Sequence, residues 1–216
     1  MICSPSDNQQ HRQGHSTETA VLTVHNDIVL AIDKGYVAAL ALLDLSSDFN
    51  TVNHTLLLSI LENRFSVTGT TLEWFRSYLT DRTQIFTAGL TSTSPLPLVF
   101  GVPQGSGLGP VEFIAYTETT TDIFSNHHIL YQIFADDTQG YDRCYVTDVT
   151  ALLSHLSACV NDLNSLCSSL CLQLNPAKTE FIWFGSRSNL FRIPFPYCDI
   201  FTNPLCPYRA QSWCDV

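Results

Sequence analysis

From Ser16 onward the apolar positions recur in helical steps: Ala20, Val21, Val24, Ile28, Ala31 and Ile32 line one stripe. Ser16 suits the N-cap of this helix, and Gly35, after Lys34, suits its stop. The period then changes. Val37 to Leu43 is apolar without a break, which predicts a strand buried on both faces. It ends abruptly in Asp44. Leu56, Leu57, Ile60 and Leu61 predict a helix stopping near Phe65, and Leu72, Phe75 and Leu79 a second over Thr70–Leu79. Gln84–Ala88 and Leu96–Phe100 read as strands joined by the turn-rich Gly89–Pro95. A helix is expected over about Pro110–Phe124, although the run Thr117-Glu-Thr-Thr-Thr121 favours helix poorly.

Ile129–Ala135 reads as a strand, Asp136-Asp137 as a tight turn and Thr138–Tyr141 as the return strand. The longest helical stretch is Asp148–Leu172, with Leu152, Leu156, Val160, Leu163, Leu166 and Leu170 on one face. Glu180–Phe184 is the last predicted strand, and residues 186–216 read as an irregular tail. Alternating strands and helices with two hairpins indicate an α+β layer.

Composition narrows the field. The chain has 216 residues, 45% apolar and 14% charged, which excludes generic disorder and allows a sizeable core. The net charge of −10 supplies no long-range attraction for phosphate backbones, so any nucleic-acid role must rest on a local site. No apolar run approaches the roughly 20 residues of a membrane span, and no basic leader with an apolar core opens the chain; no membrane association is expected. The eight cysteines form no Cys-x-x-Cys pair. Free, buried thiols of a reducing, intracellular compartment are expected, nuclear or cytoplasmic, with no disulfide-linked partner. Cys167 and Cys171 read as packing residues one helical turn apart, His127-His128 as loop surface, and His54 as a helix N-cap.

Asp44 at the end of a buried strand, with Asp136-Asp137 on a hairpin, is the candidate chemistry. A carboxylate following so many apolar residues is costly unless paired or metal-bound. Adjacent strands would bring Asp44 and Asp136 to one point, the arrangement that hard divalent cations such as Mg²⁺ favour. Two metals about 3.5–4 Å apart activate an attacking oxygen and stabilise a leaving one, which points to phosphoryl or nucleotidyl transfer. Asp-Asp in a turn is common, and on the residues alone a solvated hairpin tip is the favoured reading.

Six segments resemble, in order, the reverse transcriptase domain of non-LTR retrotransposons (LINE-type, jockey- or CR1-like). Arg12-Gln-Gly-His-Ser-Thr-Glu-Thr-Ala20 looks like the fingers segment. Leu42-Leu-Asp-Leu-Ser-Ser-Asp-Phe-Asn-Thr-Val-Asn-His54 looks like the first palm motif. Trp74-Phe-Arg-Ser-Tyr-Leu-Thr-Asp-Arg-Thr-Gln84 looks like a linking segment. The second palm motif is Gly101-Val-Pro-Gln-Gly-Ser106 with Leu108-Gly-Pro110, and the third is Phe134-Ala-Asp-Asp-Thr-Gln139. The fourth is Leu172-Gln-Leu-Asn-Pro-Ala-Lys-Thr-Glu180. Together they are specific where each alone is not.

The resemblance implies a polymerase palm, an antiparallel sheet packed on helices, with a partial fingers segment and no thumb, over residues 11–185. It implies an RNA template, a DNA primer and dNTPs as partners, and two Mg²⁺ ions. Asp44 and Asp136 would hold the ions, with Asp137 beside them. Phe49, five residues after Asp44, would be the aromatic gate against a 2′-hydroxyl. Gln104 and Gly105 would lie against the nucleotide, Lys178 near the leaving pyrophosphate as a cation and proton donor, and Arg12 against the triphosphate.

Some positions depart from the family pattern. Asp48, Asn50 and Asn53 stand where Ala, Asp and Asp are usual. An extended chain would put Asp48 on the face of Asp44; two like charges ~4 Å apart repel by about 4 kcal/mol at an effective dielectric of ~20. Glu112 interrupts a helix that is usually apolar, and Leu166, Leu170 and Cys171 replace Trp and basic residues. The tail matches no family segment; Ser212-Trp-Cys-Asp215, read one base on, approaches a Leu-Gly-Val-type strand, which predicts a frameshifted reading. Two functional readings follow: an RNA-directed DNA polymerase domain, or a catalytically inactive element remnant.

Overall fold

The computed structural model describes residues 17–46, 48–103, 106–134, 137–193 and 208–212. They fall into two compact units, 1–46 with 118–168 and 173–216, and 47–117 with 169–172.

In chain order, helix α1 (Thr17–Asp33) leads into strand β1 (Val37–Leu43) and the short β2 (Leu45–Ser46). Helices α2 (Asp48–Thr51), α3 (His54–Asn63) and α4 (Gly69–Leu79) follow. Four two-residue strands come next: β3 (Thr83–Gln84), β4 (Thr87–Ala88), β5 (Thr91–Ser92) and β6 (Leu96–Pro97). Then come α5 (Gly109–Thr117), α6 (Thr120–Asn126), β7 (Leu130–Phe134) and β8 (Asp137–Cys144). The long α7 (Val149–Ser169), β9 (Gln173–Leu174), β10 (Glu180–Gly185), α8 (Arg187–Leu190) and β11 (Tyr208–Ser212) complete the described chain.

The first unit is built on a sheet of order β11-β10-β1-β8-β7, antiparallel except where β11 joins β10. β1 is its centre, and Val37, Ala39, Ala41 and Leu43 are buried as a wholly apolar strand requires. The two faces are occupied differently. On one, Ala38 and Leu40 pack with Tyr141, Ile182 and Phe184 beneath Val24 and Ile28 of α1. The Tyr141 hydroxyl donates to the Asp27 carboxylate at 2.8 Å, which ties α1 to the sheet. On the other face, Tyr131, Gly140, Ala41 and Phe181 form one cross-strand row. The Phe124 ring of α6 lies over this row, stacked on Tyr131 at 5.2 Å. Gly140 is required there: a Cβ would meet Phe124 Cε1 at 2.9 Å. The α7 stripe buries Leu152, Leu156, Cys159, Val160, Leu163 and Cys167.

In the second unit α3 packs against α4 and α5, burying Leu57, Leu61, Leu72, Leu79, Phe113 and Tyr116. Strands β3 to β6 form a ribbon whose residues are all exposed.

Several expectations change. The helix predicted over Pro110–Phe124 is two helices, broken at Glu118–Thr119 inside the threonine run. The hairpin strands are short pieces, and their turn is the two residues Gly89 and Leu90. Cys171 lies beyond α7, exposed and at φ +57°, so it does not pack a turn above Cys167. His127 is not free loop surface: it caps the C-terminus of α6, and its Nε2 lies 2.7 Å from Asp162 Oδ2. Asn53, not His54, is the α3 N-cap, its Oδ1 accepting from Thr55 N and Leu56 N. The tail is not wholly irregular, since α8 and β11 fall within it and β11 pairs in register with β10.

Candidate active-site cleft

The β1–β8 register pairs Val37 with Cys144 through to Leu43 with Thr138. One further step sets Asp44 opposite Asp137, the first residue of β8. Both line a cleft of about 260 Å³ with Leu42, Leu43, Thr138, Gln139, Lys178 and Glu180. In strands, alternate residues share a face. Asp44, Leu42, Asp137 and Gln139 therefore lie on the face that α1 covers further along, beyond its reach at the open end of the sheet. Asp44 thus ends a buried strand without being buried: its side chain remains 27% accessible.

The partners of Asp44 come from the turn after β9. The Asp44 carbonyl accepts from Asn175 N at 2.8 Å, and Asn175 Nδ2 donates to Asp44 Oδ2 at 3.3 Å. β2 and β9 pair beside this contact, Leu45 with Leu174. Asn175 also shapes its own turn: its carbonyl accepts from Lys178 N and Thr179 N, and its Oδ1 from Ala177 N. That fold of the chain delivers Lys178 Nζ to 3.3 Å from Asp44 Oδ2 and 3.5 Å from Oδ1. The lysine is exposed, so the pair contributes little to stability; its consequence is a cation held at the mouth of an acidic cleft.

Of the residues predicted for the site, Asp44, Asp137 and Lys178 come together here. Asp136, Gln104, Gly105 and Arg12 lie outside the described residues. Phe49 and Asp48 fall in α2. The backbone is helical at Asp48, so the alternation that would have put it on the Asp44 face does not extend to it. Lys178 is more than a solvated turn lysine, given its ion pair. Glu180 was not foreseen. It enters the cleft because β10 pairs Glu180 with Leu42, two residues before Asp44.

Among the described residues no group of three or more His, Cys, Asp or Glu side chains is placed to hold a metal ion. The donor set nevertheless fits a hard divalent cation: two carboxylates at the open end of the sheet, partly solvated, with an ammonium already drawn to one of them.

The second unit organises the glycine-rich loop. Gly101, at φ +87°, begins it, and Gly109 at its other end leaves no room for a Cβ, which would lie 2.8 Å from the Pro103 carbonyl. The Ser106 hydroxyl donates to that carbonyl and accepts from Gly109 N, both at 2.9 Å. Tyr116 is fully buried; its hydroxyl donates to the Leu170 carbonyl at 2.5 Å and accepts from Asn53 N at 3.3 Å. Burial raises its pKa, which keeps that donor protonated.

Comparison with known proteins bears on this arrangement. The family model for reverse transcriptase (RNA-dependent DNA polymerase) matches residues 5–194. A probable RNA-directed DNA polymerase from transposon BS of Drosophila melanogaster is 28% identical over 179 residues. That alignment takes in 78% of this chain, which spans 19% of the relative's length. Among solved structures, a telomerase from Candida tropicalis superposes with a TM-score of 0.60 at 15% identity, over 83% of this chain and 30% of that one. A Candida albicans telomerase gives 0.55 at 13% identity, over 77% and 31%. At such identities the likeness is one of fold.

Proposed function

Because the chain belongs to the reverse transcriptase family, we propose that the Asp44–Asp137 cleft is the nucleotidyl-transfer centre of an RNA-directed DNA polymerase domain from a non-LTR transposable element. One observation carries this reading: two carboxylates far apart in sequence line one cleft with Lys178.

In the proposed reaction the primer 3′-hydroxyl attacks the α-phosphorus of a dNTP. A bond forms from the 3′-oxygen to phosphorus, the bond to the bridging oxygen breaks, pyrophosphate leaves, and the hydroxyl proton passes to water. Asp44 and Asp137, with Asp136 next to it, would hold divalent ions, which when bound supply Lewis-acid stabilisation of the charge at phosphorus. Lys178, which pairs with Asp44, would meet the leaving pyrophosphate as a cation and proton donor. Phe49 would exclude a 2′-hydroxyl, Gln104 and Gly105 would contact the nucleotide, and Arg12 the triphosphate. RNA template and DNA primer are the partners of this reading. With a net charge of −10, their phosphates must be held by local contacts.

Primer extension on an RNA template with Mg²⁺ and dNTPs tests it. Extension by the wild type and its loss in Asp44→Asn is the expected result. Wild-type failure, or extension undiminished by Asp44→Asn, overturns the assignment.

A further inference from the structure

We infer that the exposed ribbon of β3 to β6 is an association surface for a second copy of this chain, which pairs along the edge of residues 83–88 to close a four-stranded antiparallel sheet. The inference is independent of the polymerase reading.

The ribbon is held at its root, where Asn53 and Phe100 form an antiparallel bridge and Gly101 N donates to the Val52 carbonyl at 2.8 Å. Beyond the root, Ile85, Phe86, Leu90, Leu96 and Val99 are all exposed. Among the described residues nothing covers either face of the ribbon. A two-stranded hairpin in that state is marginal in water by itself, and exposed apolar side chains gathered in one place mark an interaction surface.

The two edges of the ribbon differ. The Arg82 carbonyl accepts from Leu98 N at 2.8 Å and the Phe86 carbonyl from Thr93 N at 2.9 Å, so the backbone at residues 82 and 86 faces inward. By alternation, the backbone groups of Thr83, Ile85 and Thr87 face outward, along an edge with neither charge nor proline. Across the ribbon Pro97 stands opposite Thr83, where it offers no N–H and blunts the other edge. An edge that pairs with its own copy does so about a two-fold axis, and outward groups must meet outward groups. The register that engages all three sets Ile85 against Ile85 of the second copy and Thr83 against Thr87. Charge selects this occupant. Every Asp, Glu, Lys, Arg and His of the chain precedes Thr83 or follows Val111. No cation in that stretch meets a phosphate, so nucleic acid has no hold there. Two copies of net charge −10 repel over most approaches, and the uncharged edge lets them meet without opposed charges. So short an edge makes a small interface, and the dimer is therefore weak.

Sedimentation of the full chain over a wide range of concentration, with and without nuclease, tests this. Monomer and dimer should be present and nothing larger, because a two-fold contact closes on itself. Added NaCl should tighten the dimer by screening the repulsion. Ile85→Glu and Ile85→Lys should each weaken it about tenfold or more, since either charge meets its own copy across the axis. Val21→Glu, which adds the same negative charge at an exposed site on α1, should leave it unchanged. Hydrogen exchange gives a second reading: the amides of Thr83, Ile85 and Thr87 should gain protection as wild-type concentration rises, and should not in Ile85→Glu. A chain that stays monomeric at every concentration overturns the proposal. So does a dimer that Ile85→Glu leaves intact, one that salt weakens, or one that nuclease dissolves, in which case nucleic acid holds the copies together.

Discussion

Asp44 and Asp137, 93 residues apart in the chain, stand opposite one another at the open end of the β1–β8 ladder and line the same cleft. The antiparallel register brings them there. Because each residue of β1 fixes its partner on β8, slipping the ladder by one residue would turn Asp137 to the opposite face. The site therefore depends on the packing that holds the register, above all the contact between Gly140 and Phe124.

Gly140→Ala should destabilise the domain by about 1–3 kcal/mol, the cost of overpacking a filled core. Chemical denaturation measures it. Adding Phe124→Leu, which withdraws the ring edge lying 2.9 Å from the new methyl, should recover part of the loss. Equal stabilities for wild type and Gly140→Ala would show that this face is loosely packed.

Lys178→Ala should separate two properties. The ammonium 3.3 Å from Asp44 competes with a divalent cation for the same oxygen, so its removal should lower the Mg²⁺ concentration needed for half-maximal incorporation. The same change should reduce kcat by about 10²-fold or more, as expected for loss of a general acid. A titration of rate against Mg²⁺ reads both. A loss of kcat without any shift along the Mg²⁺ axis would mean that the ion pair does not persist in the working enzyme.

Tyr116→Phe deletes the hydroxyl that links Asn53 and Leu170. The ring still fills its space, so the cost should be about 1–2 kcal/mol from the unsatisfied carbonyl and amide. Thermal unfolding would detect it, and a change below a few tenths of a kcal/mol would contradict the central position given to this hydroxyl.

Glu112 carries a pH-dependent cost. It is 2% exposed, and among the described residues neither carboxylate oxygen has a hydrogen-bond partner. Burial raises its pKa, an effect that Arg82 partly offsets. With the folded pKa above the unfolded one, the native state binds the extra proton, so stability falls as pH rises from the unfolded value through the folded one. Glu112→Leu should therefore stabilise by about 1 kcal/mol at pH 8, with the advantage shrinking towards pH 4. Melting curves across that range should converge at the acid end; divergence towards acid would reverse the sign.

Much of the fold was legible because burial leaves a period. β1, β10 and α7 carry uninterrupted or 3.6-residue apolar patterns, and each lies close to its expected place. β11 was missed because Tyr-Arg-Ala-Gln-Ser has no such pattern; its strand character comes from pairing with β10. The α5–α6 break was half visible in the threonine run. Asn53 and His54 were confused as caps because both are polar and adjacent, yet only the amide oxygen of Asn53 can accept the two free N–H groups of α3. In the cleft, Asp44 and Asp137 stand out in the sequence at a strand end and in a hairpin turn, and Lys178 through motif resemblance. Glu180 and Gln139 do not, because their place depends on the register between three strands, which no local pattern reveals.

Iron-mediated cleavage tests the central juxtaposition most directly. With Fe²⁺ and ascorbate in place of Mg²⁺, backbone scission should cluster in two places, around residue 44 and around residues 136–137, and be suppressed by excess Mg²⁺. Asp44→Asn should abolish both clusters together. Scission at one place alone, or at both but independent of Asp44, would show that the two carboxylates do not share an ion.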